Sequence, residues 1–186
     1  MKRTRSLFTL LILIVVLICS SKAVFAANPW PNLSSTKYLE YKATHTMNVY
    51  KDKDCTIRGT ENPDKAYKAI IEPNDICKIY KITTSYTKVN YPTPKGRRTG
   101  YAKTKEVFST TSPVYSYVTH EDKLTTYDRI GGKKIGYSDP SDYIFVLTSD
   151  GNYYSVIYEA KSGNRAYKYG WLKYRGFWFS DPLPPK

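Results

Sequence analysis

The sequence predicts an all-β protein made of two tandem small modules behind an N-terminal targeting segment. Three observations carry this. First, the second half rewrites the first: Glu72-Pro73-Asn74-Asp75 returns as Asp139-Pro140-Ser141-Asp142, and Ala43-Thr44-His45 as Val118-Thr119-His120. Gly100-Tyr101-Ala102-Lys103, closing at Phe108, returns as Gly170-Trp171-Leu172-Lys173, closing at Trp178. Self-similarity of this kind sets the architecture before any local argument. Second, there are 19 tyrosines, all after residue 26, against six leucines in the same stretch. Tyr, Val, Ile and Thr suit a pleated, half-buried surface. Third, short strand-like segments alternate with turn signals, and helix signals are nearly absent.

Residues 1–26 read as a secretory signal peptide. Lys2, Arg3 and Arg5 make a basic start, Leu7 to Cys19 is an apolar run broken only by Thr9, and Val24-Phe25-Ala26 offers a cleavage site. The run is short for a membrane span, so no stable membrane insertion is expected after cleavage. An uncleaved anchor is the alternative. A lipoprotein reading is weaker, because Ile18 precedes Cys19 where a small residue is expected. Four of the 29 basic residues and none of the 16 acidic ones lie in this segment, which leaves the rest of the chain at +9. That charge suits polyanionic partners, or simply a solvated surface.

Residues 27–37, with Pro29 and Pro31, form a leader. The first module spans 38–108, a polar linker ending in Pro113 spans 109–113, the second module spans 114–179, and 180–186 is a Pro-rich tail. In module one, Ile76 to Ile82 and Tyr86 to Tyr91 read as strands around Thr83-Thr84-Ser85. In module two, Tyr143 to Thr148 and Tyr153 to Tyr158 flank Ser149-Asp150-Gly151-Asn152, a hairpin turn by its tolerance of positive φ. The best helix candidate, Pro63 to Ile71, is short and stops before Pro73. Tyr50 to Pro73 is ten residues longer than Tyr127 to Pro140, so module one carries an enlarged loop. Cys55 falls in that loop and Cys77 in the next strand. An even pair in an exported chain reads as a disulfide tethering the loop.

Each module opens with a short segment, Met47-Asn48-Val49-Tyr50 or Leu124-Thr125-Thr126-Tyr127. Each continues through an acidic Pro turn to an aromatic-x-x-Val-x-Tyr ribbon: Tyr86, Val89 and Tyr91, then Tyr153, Val156 and Tyr158. Each closes on Gly, an aromatic residue, an apolar residue and Lys. This pattern resembles tandem bacterial SH3-like domains over nearly all of residues 41–178. Tyr50 stands where that family usually has Arg, and Thr125-Thr126 depart further. The resemblance implies two small SH3-like barrels in an exported protein that binds cell-wall peptidoglycan or a similar polymer.

The sequence holds little for catalysis. It has no HExxH, no GxSxG and no glycine-rich phosphate loop, so no enzyme activity, cofactor or metal is expected. His45 and His120 occupy matching positions, which suggests a role in the fold. Binding has more support, because aromatic faces stack on sugars or peptides and adjacent cations pair with phosphate or carboxylate. The candidates are Tyr50, Tyr86, Lys88, Tyr91, Arg97 and Arg98 in module one, with Tyr127, Tyr153, Tyr154, Tyr158, Arg165 and Tyr167 in module two. The expected partner is a cell-wall polymer. The rival class is a secreted inhibitor or adaptor that binds an extracellular protein or peptide. Export argues against nucleic acid.

Overall fold

A computed structural model describes residues 28–62, 65–117, 123–139, 142–160 and 166–173. The expected signal segment, His120, Arg165 and the Pro-rich tail lie outside the described residues. The chain is mostly β. Module one contains β1 (Leu39–Lys42), β2 (Met47–Asn48), β3 (Thr60–Asn62), β4 (Lys65–Lys68), β5 (Ile70–Ile71), β6 (Ile76–Ile82), β7 (Tyr86–Thr93), β8 (Gly96–Lys103) and the short helix α1 (Thr104–Phe108). Module two contains β9 (Val114–Tyr117), β10 (Leu124–Tyr127), β11 (Lys134–Ser138), β12 (Tyr143–Asp150), β13 (Tyr153–Ala160) and β14 (Ala166–Lys173).

The repeat in sequence is a repeat in pairing. Module one has the antiparallel order β1-β6-β7-β8, extended beyond β8 by bridges from Tyr101 to Tyr50 and from Tyr50 to Arg58. Module two runs β9-β12-β13-β14-β10-β11, with Tyr127 opposite Trp171 and Lys134. Tyr50 therefore corresponds to Tyr127, Tyr101 to Trp171 and Arg58 to Lys134. Both sheets are open rather than closed barrels.

The acidic turns match atom for atom. The Asp75 carboxylate accepts the Glu72 N–H at 2.9 Å, and the Asp142 carboxylate accepts the Asp139 N–H at 2.7 Å. A side chain that bonds backbone within its own turn is the physical reason for Asp at that position. The β12–β13 hairpin is tighter than the expected four residues. Asp150 pairs with Tyr153, leaving Gly151-Asn152 as the loop, with Gly151 at φ 54°.

Two expectations are corrected. Within the helix candidate at 63–71, Lys65–Lys68 and Ile70–Ile71 are strands: β4 pairs with β3, and β5 pairs with β2. β-Strand pairing overrides a short, Pro-bounded helix signal. The length excess also has a defined place. Ten residues, Gly59 to Lys68, stand between Arg58 and Ala69 and include the β3–β4 hairpin. Module two has only Ile135 between Lys134 and Gly136. Cys55 precedes this excess rather than lying in it.

The Cys55–Cys77 disulfide is likewise absent. Both thiols are free and buried. Cys77 pairs with Tyr41 across β1–β6 and feels the Asp75 and Arg97 charges at one end of the sheet. Cys55 sits in a loop near Asp52, Lys103 and Glu106. Arg97 and Lys103 mark opposite ends of β8, six residues or about 20 Å apart. A disulfide needs Cα atoms within about 7 Å.

The two modules share one hydrophobic core. Trp30 and Leu33 in the expected leader, Tyr41, Val107 and Phe108 of module one, and Phe145, Leu147 and Ile157 of module two belong to a single buried cluster. The leader is thus a wedge, held by a 3₁₀ turn at Leu33–Ser35 and by Trp30 Nε1 donating to the Thr111 carbonyl at 3.1 Å. Phe108 contacts Trp30 at 5.0 Å between ring centroids, and Tyr41 meets Tyr169 of β14 edge-on at 5.1 Å. The Tyr167 N–H donates to Thr36 Oγ1 at 3.0 Å. Module two's sheet is therefore covered on both faces. One face holds its own core of Leu124, Ile144, Val156, Tyr158 and Leu172. Part of the other lies against module one.

Candidate binding face

Residues opposite one another on adjacent strands project from the same face of a sheet. In module one the register therefore makes a continuous row: Arg58, Tyr50, Tyr101, Lys88 and Lys81 across five adjacent chain segments. Tyr86 and Lys103 pair beside it on the same face. The opposite face of β7 carries Thr87, Val89 and Tyr91, all buried. Alternation of Tyr-Thr-Lys-Val-Asn-Tyr along β7 is what sends tyrosine and lysine outward and valine inward.

The row is held by short contacts. Tyr50 and Tyr101 exchange backbone hydrogen bonds at 2.7 and 3.0 Å. The Arg58 guanidinium lies 5.4 Å and the Lys103 ammonium 5.7 Å from the Tyr50 ring centroid. Tyr86 stands edge-to-face on Tyr101 at 5.5 Å. Each cation–π contact is worth on the order of 0.5–1 kcal/mol at such a site. The Lys103 ammonium is thereby placed over an aromatic face and stays exposed, whereas the half-buried Arg58 also donates to the Ala69 carbonyl at 3.4 Å.

Module two repeats the row, although its Lys134 lies 5.9 Å from the Tyr137 ring centroid instead of over Tyr127. Lys134, Tyr127, Trp171, Ser155 and Thr148 form the corresponding row, with Tyr153 and Lys173 beside it. Tyr127 meets Tyr153 edge-on at 6.3 Å. Gly100 and Gly170 serve the same purpose in the two copies. A Cβ on Gly100 would sit 3.0 Å from the Tyr50 carbonyl oxygen, and one on Gly170 would sit 3.2 Å from that of Tyr127. Only glycine lets the opening segment close onto the last strand.

The predicted residues divide accordingly. Tyr50, Tyr86 and Lys88 meet in one row, where Tyr50 is buried and Tyr86 and Lys88 are partly exposed, and Tyr127 and Tyr153 meet in the other. Tyr91 and Tyr158 are core residues, the latter bonded through its hydroxyl to Thr126 at 2.9 Å. Tyr154 packs against the core of module two. Tyr167 packs edge-on against Phe145 at the seam between the modules. Arg97 is spent on structure, donating to the Asn90 side chain at 2.6 Å and to the Ile76 carbonyl at 2.8 Å. Arg98 donates to the Thr60 carbonyl at 2.9 Å and pins the inserted hairpin. Sequence reasoning missed Arg58, Tyr101, Lys103, Lys134, Trp171 and Lys173 as site residues. Four of these belong to the repeated closing motif, where Gly-aromatic-x-Lys was a visible signal.

Small cavities adjoin both rows, of about 140 Å³ beside Tyr50 and Arg98 and about 90 Å³ beside Tyr127 and Lys173. Pockets that engulf a small molecule run to about 300 Å³ or more. These rows present a face, not a pocket, and a face suits an extended ligand. Elsewhere, Lys123 bonds Asp139 at 3.3 Å, a hydrogen bond that raises its pKa, and Lys123 also lies 4.2 Å from the Tyr137 ring centroid. His45 is exposed and bonds only its neighbour Thr44 among the described residues.

No family model, curated protein or solved structure matches this chain.

Proposed function

We propose that this chain is an exported, non-enzymatic tandem SH3-like protein that binds cell-wall peptidoglycan or an anionic surface polymer along its two aromatic–cation rows. One observation carries the reading. Three aromatic residues and two flanking cations stand at equivalent sheet positions in both copies, although the loops between them have diverged. Core demands do not explain outward-facing Tyr86 and Tyr153, or the lysines paired with them. Aromatic faces lie flat on sugar or polyol carbons, and adjacent cations take phosphate or carboxylate. The shared core holds the two rows at a fixed separation, so a polymer engaging both gains avidity without flexible linkage.

The shared core also makes module deletion the wrong test, because it would expose Trp30, Phe108 and Phe145. The test is retention of the full chain on purified cell walls, with Tyr86→Ala, Tyr153→Ala and the double variant. Each lost stacking contact is worth about 1 kcal/mol, so each single change weakens retention roughly fivefold and the pair roughly thirtyfold. Failure of the unmodified chain to bind walls at low salt refutes the proposal.

A further inference from the structure

We infer that the two copies divide their work: module one's row takes the phosphodiester groups of a linear polyanion, while module two's row supplies a mainly neutral aromatic contact. This rests on the surface-polymer reading and specifies its ligand chemistry.

The aromatic triad and its end cations are common to both. What differs is the far half of the row. Lys88 corresponds to Ser155, and Lys81 corresponds to Thr148. Lys81 and Lys88 face each other directly across β6 and β7. Like charges at that separation repel and cost stability. Among the described residues no carboxylate pairs with either lysine. Module two, built on the same pairing, puts neutral hydroxyls there. A repulsive pair retained in one copy only is explained by a ligand that neutralises it.

The geometry fits an extended polyanion. Arg58 to Lys81 crosses five adjacent segments, about 19 Å at the usual strand spacing. Tyr101 lies between the end charges and offers a carbon-binding face, while Tyr50 beside it is buried, its ring packed against Arg58 and Lys103. Arg58 is partly committed, its Nη2 donating to the Ala69 carbonyl at 3.4 Å, so it adds charge at the end of the row, and the lysines act as point charges. A bulge beside Lys81 turns Tyr80 outward as well, which lengthens the exposed surface at that end. Module two cannot extend its row in the same way. Ser155 is buried, and the same face continues into Phe145 and Ile157, which are in the shared core against module one. A run of anions has nowhere to track beyond Trp171.

The test measures binding of the full chain to poly(glycerol phosphate), to peptidoglycan stripped of phosphate polymers, and to a single-stranded oligonucleotide of equal phosphate number. The variants are Lys81→Glu/Lys88→Glu, the milder Lys81→Gln/Lys88→Gln, and Lys134→Glu/Lys173→Glu in module two. Denaturation midpoints confirm that each variant folds. Four contacts to a flexible polyphosphate release about 0.7 counterion each, so affinity falls about 50-fold between 50 and 200 mM salt. Loss of two contacts in Lys81→Gln/Lys88→Gln lowers that to about sevenfold, and the Glu variant removes measurable binding. Lys134→Glu/Lys173→Glu also weakens poly(glycerol phosphate) binding, but at least roughly tenfold less than Lys81→Glu/Lys88→Glu does. Equal losses from the two pairs overturn the division of labour. Retention on stripped peptidoglycan with no affinity for poly(glycerol phosphate) overturns it too, and leaves the wall-binding reading standing. Binding to neither polymer overturns both. Tighter binding of the oligonucleotide assigns the row to nucleic acid and overturns the inference.

Discussion

Replacing Tyr41 by Phe tests the shared core through its pH dependence. Tyr41 is 2% exposed, its hydroxyl donates to the Val107 carbonyl at 2.7 Å, and its ring touches Phe108 and Tyr169. Burial pushes its phenol from 10.0 up to about 12. A folded pKa above the unfolded one gives stability that is complete below pH 10 and is lost as pH rises towards 12. At pH 11 the unfolded phenol is mostly ionised and the folded one mostly neutral, which costs the wild type about 1.4 kcal/mol. Tyr41→Phe loses one hydrogen bond and leaves a carbonyl short of a partner, costing about 1 kcal/mol at pH 7. It does not ionise, so it escapes the alkaline loss. The expected outcome is a variant about 1 kcal/mol weaker at pH 7 and nearly equal to wild type at pH 11. Urea midpoints at the two pH values measure this. Burial also raises the pKa values of Cys77 and Tyr169, which titrate in both proteins; Tyr169 further feels the Tyr41 charge, so removing that charge eases the alkaline loss in the same direction. A stability difference that stays constant from pH 7 to 11 refutes the reasoning, because it means that water reaches the Tyr41 hydroxyl in the native state.

The remaining expectations concern the repeat and the thiols. Gly100→Ala drives a Cβ to 2.5 Å from Val49 Cγ1, whereas Gly170→Ala meets Ile135 Cδ1 at 3.2 Å. Overpacking of the first kind costs on the order of 1–3 kcal/mol and the second less, so thermal melts should rank Gly100→Ala below Gly170→Ala. The reverse order would mean that the two closing strands do not approach their partners as described. Burial, with the Asp75 charge adding to it, pushes the Cys77 thiol up to about 12. Burial and Asp52 raise that of Cys55. Both should resist a thiol reagent in the native protein at pH 8 and react in denaturant without added reductant. Absence of reactive thiol after denaturation would restore the disulfide.

Much of the fold was legible because strands in this chain obey a period of two. Ile76 to Ile82 is a strand with the bounds its alternation predicts, and Tyr86, Tyr143 and Tyr153 each begin one. The repeat was legible too, because Asp75 and Asp142 do the same local chemistry and so keep the same neighbours. The candidate face was half legible. Alternation placed Tyr86 and Lys88 outward, but Arg58 joins the row only through a bridge made after a loop return, and no local pattern encodes a long-range bridge. Arg97 and Arg98 were misleading for a related reason. Their charge suggested a ligand, while their partners, Asn90, Ile76 and Thr60, are backbone and side-chain acceptors brought near by the sheet. Cysteine parity failed because it counts thiols without their separation, and β8 keeps Cys55 and Cys77 at opposite ends.

The seam between the modules explains why two copies of one design need not be redundant. Once the outward face of module two was half used to bury Phe145, Ile157, Tyr167 and Tyr169, charges on that half would have been buried without partners, a cost of several kcal/mol each. Hydroxyls at Ser155 and Thr148 are compatible with such surroundings and lysines are not. Module one faces no such constraint on Lys81 and Lys88, since its packing against module two runs through β1, α1 and the Trp30 segment instead. Packing thus bars lysines at Ser155 and Thr148 and permits them at Lys81 and Lys88, where the proposed polyanion would supply the repulsive pair with its counter-charge.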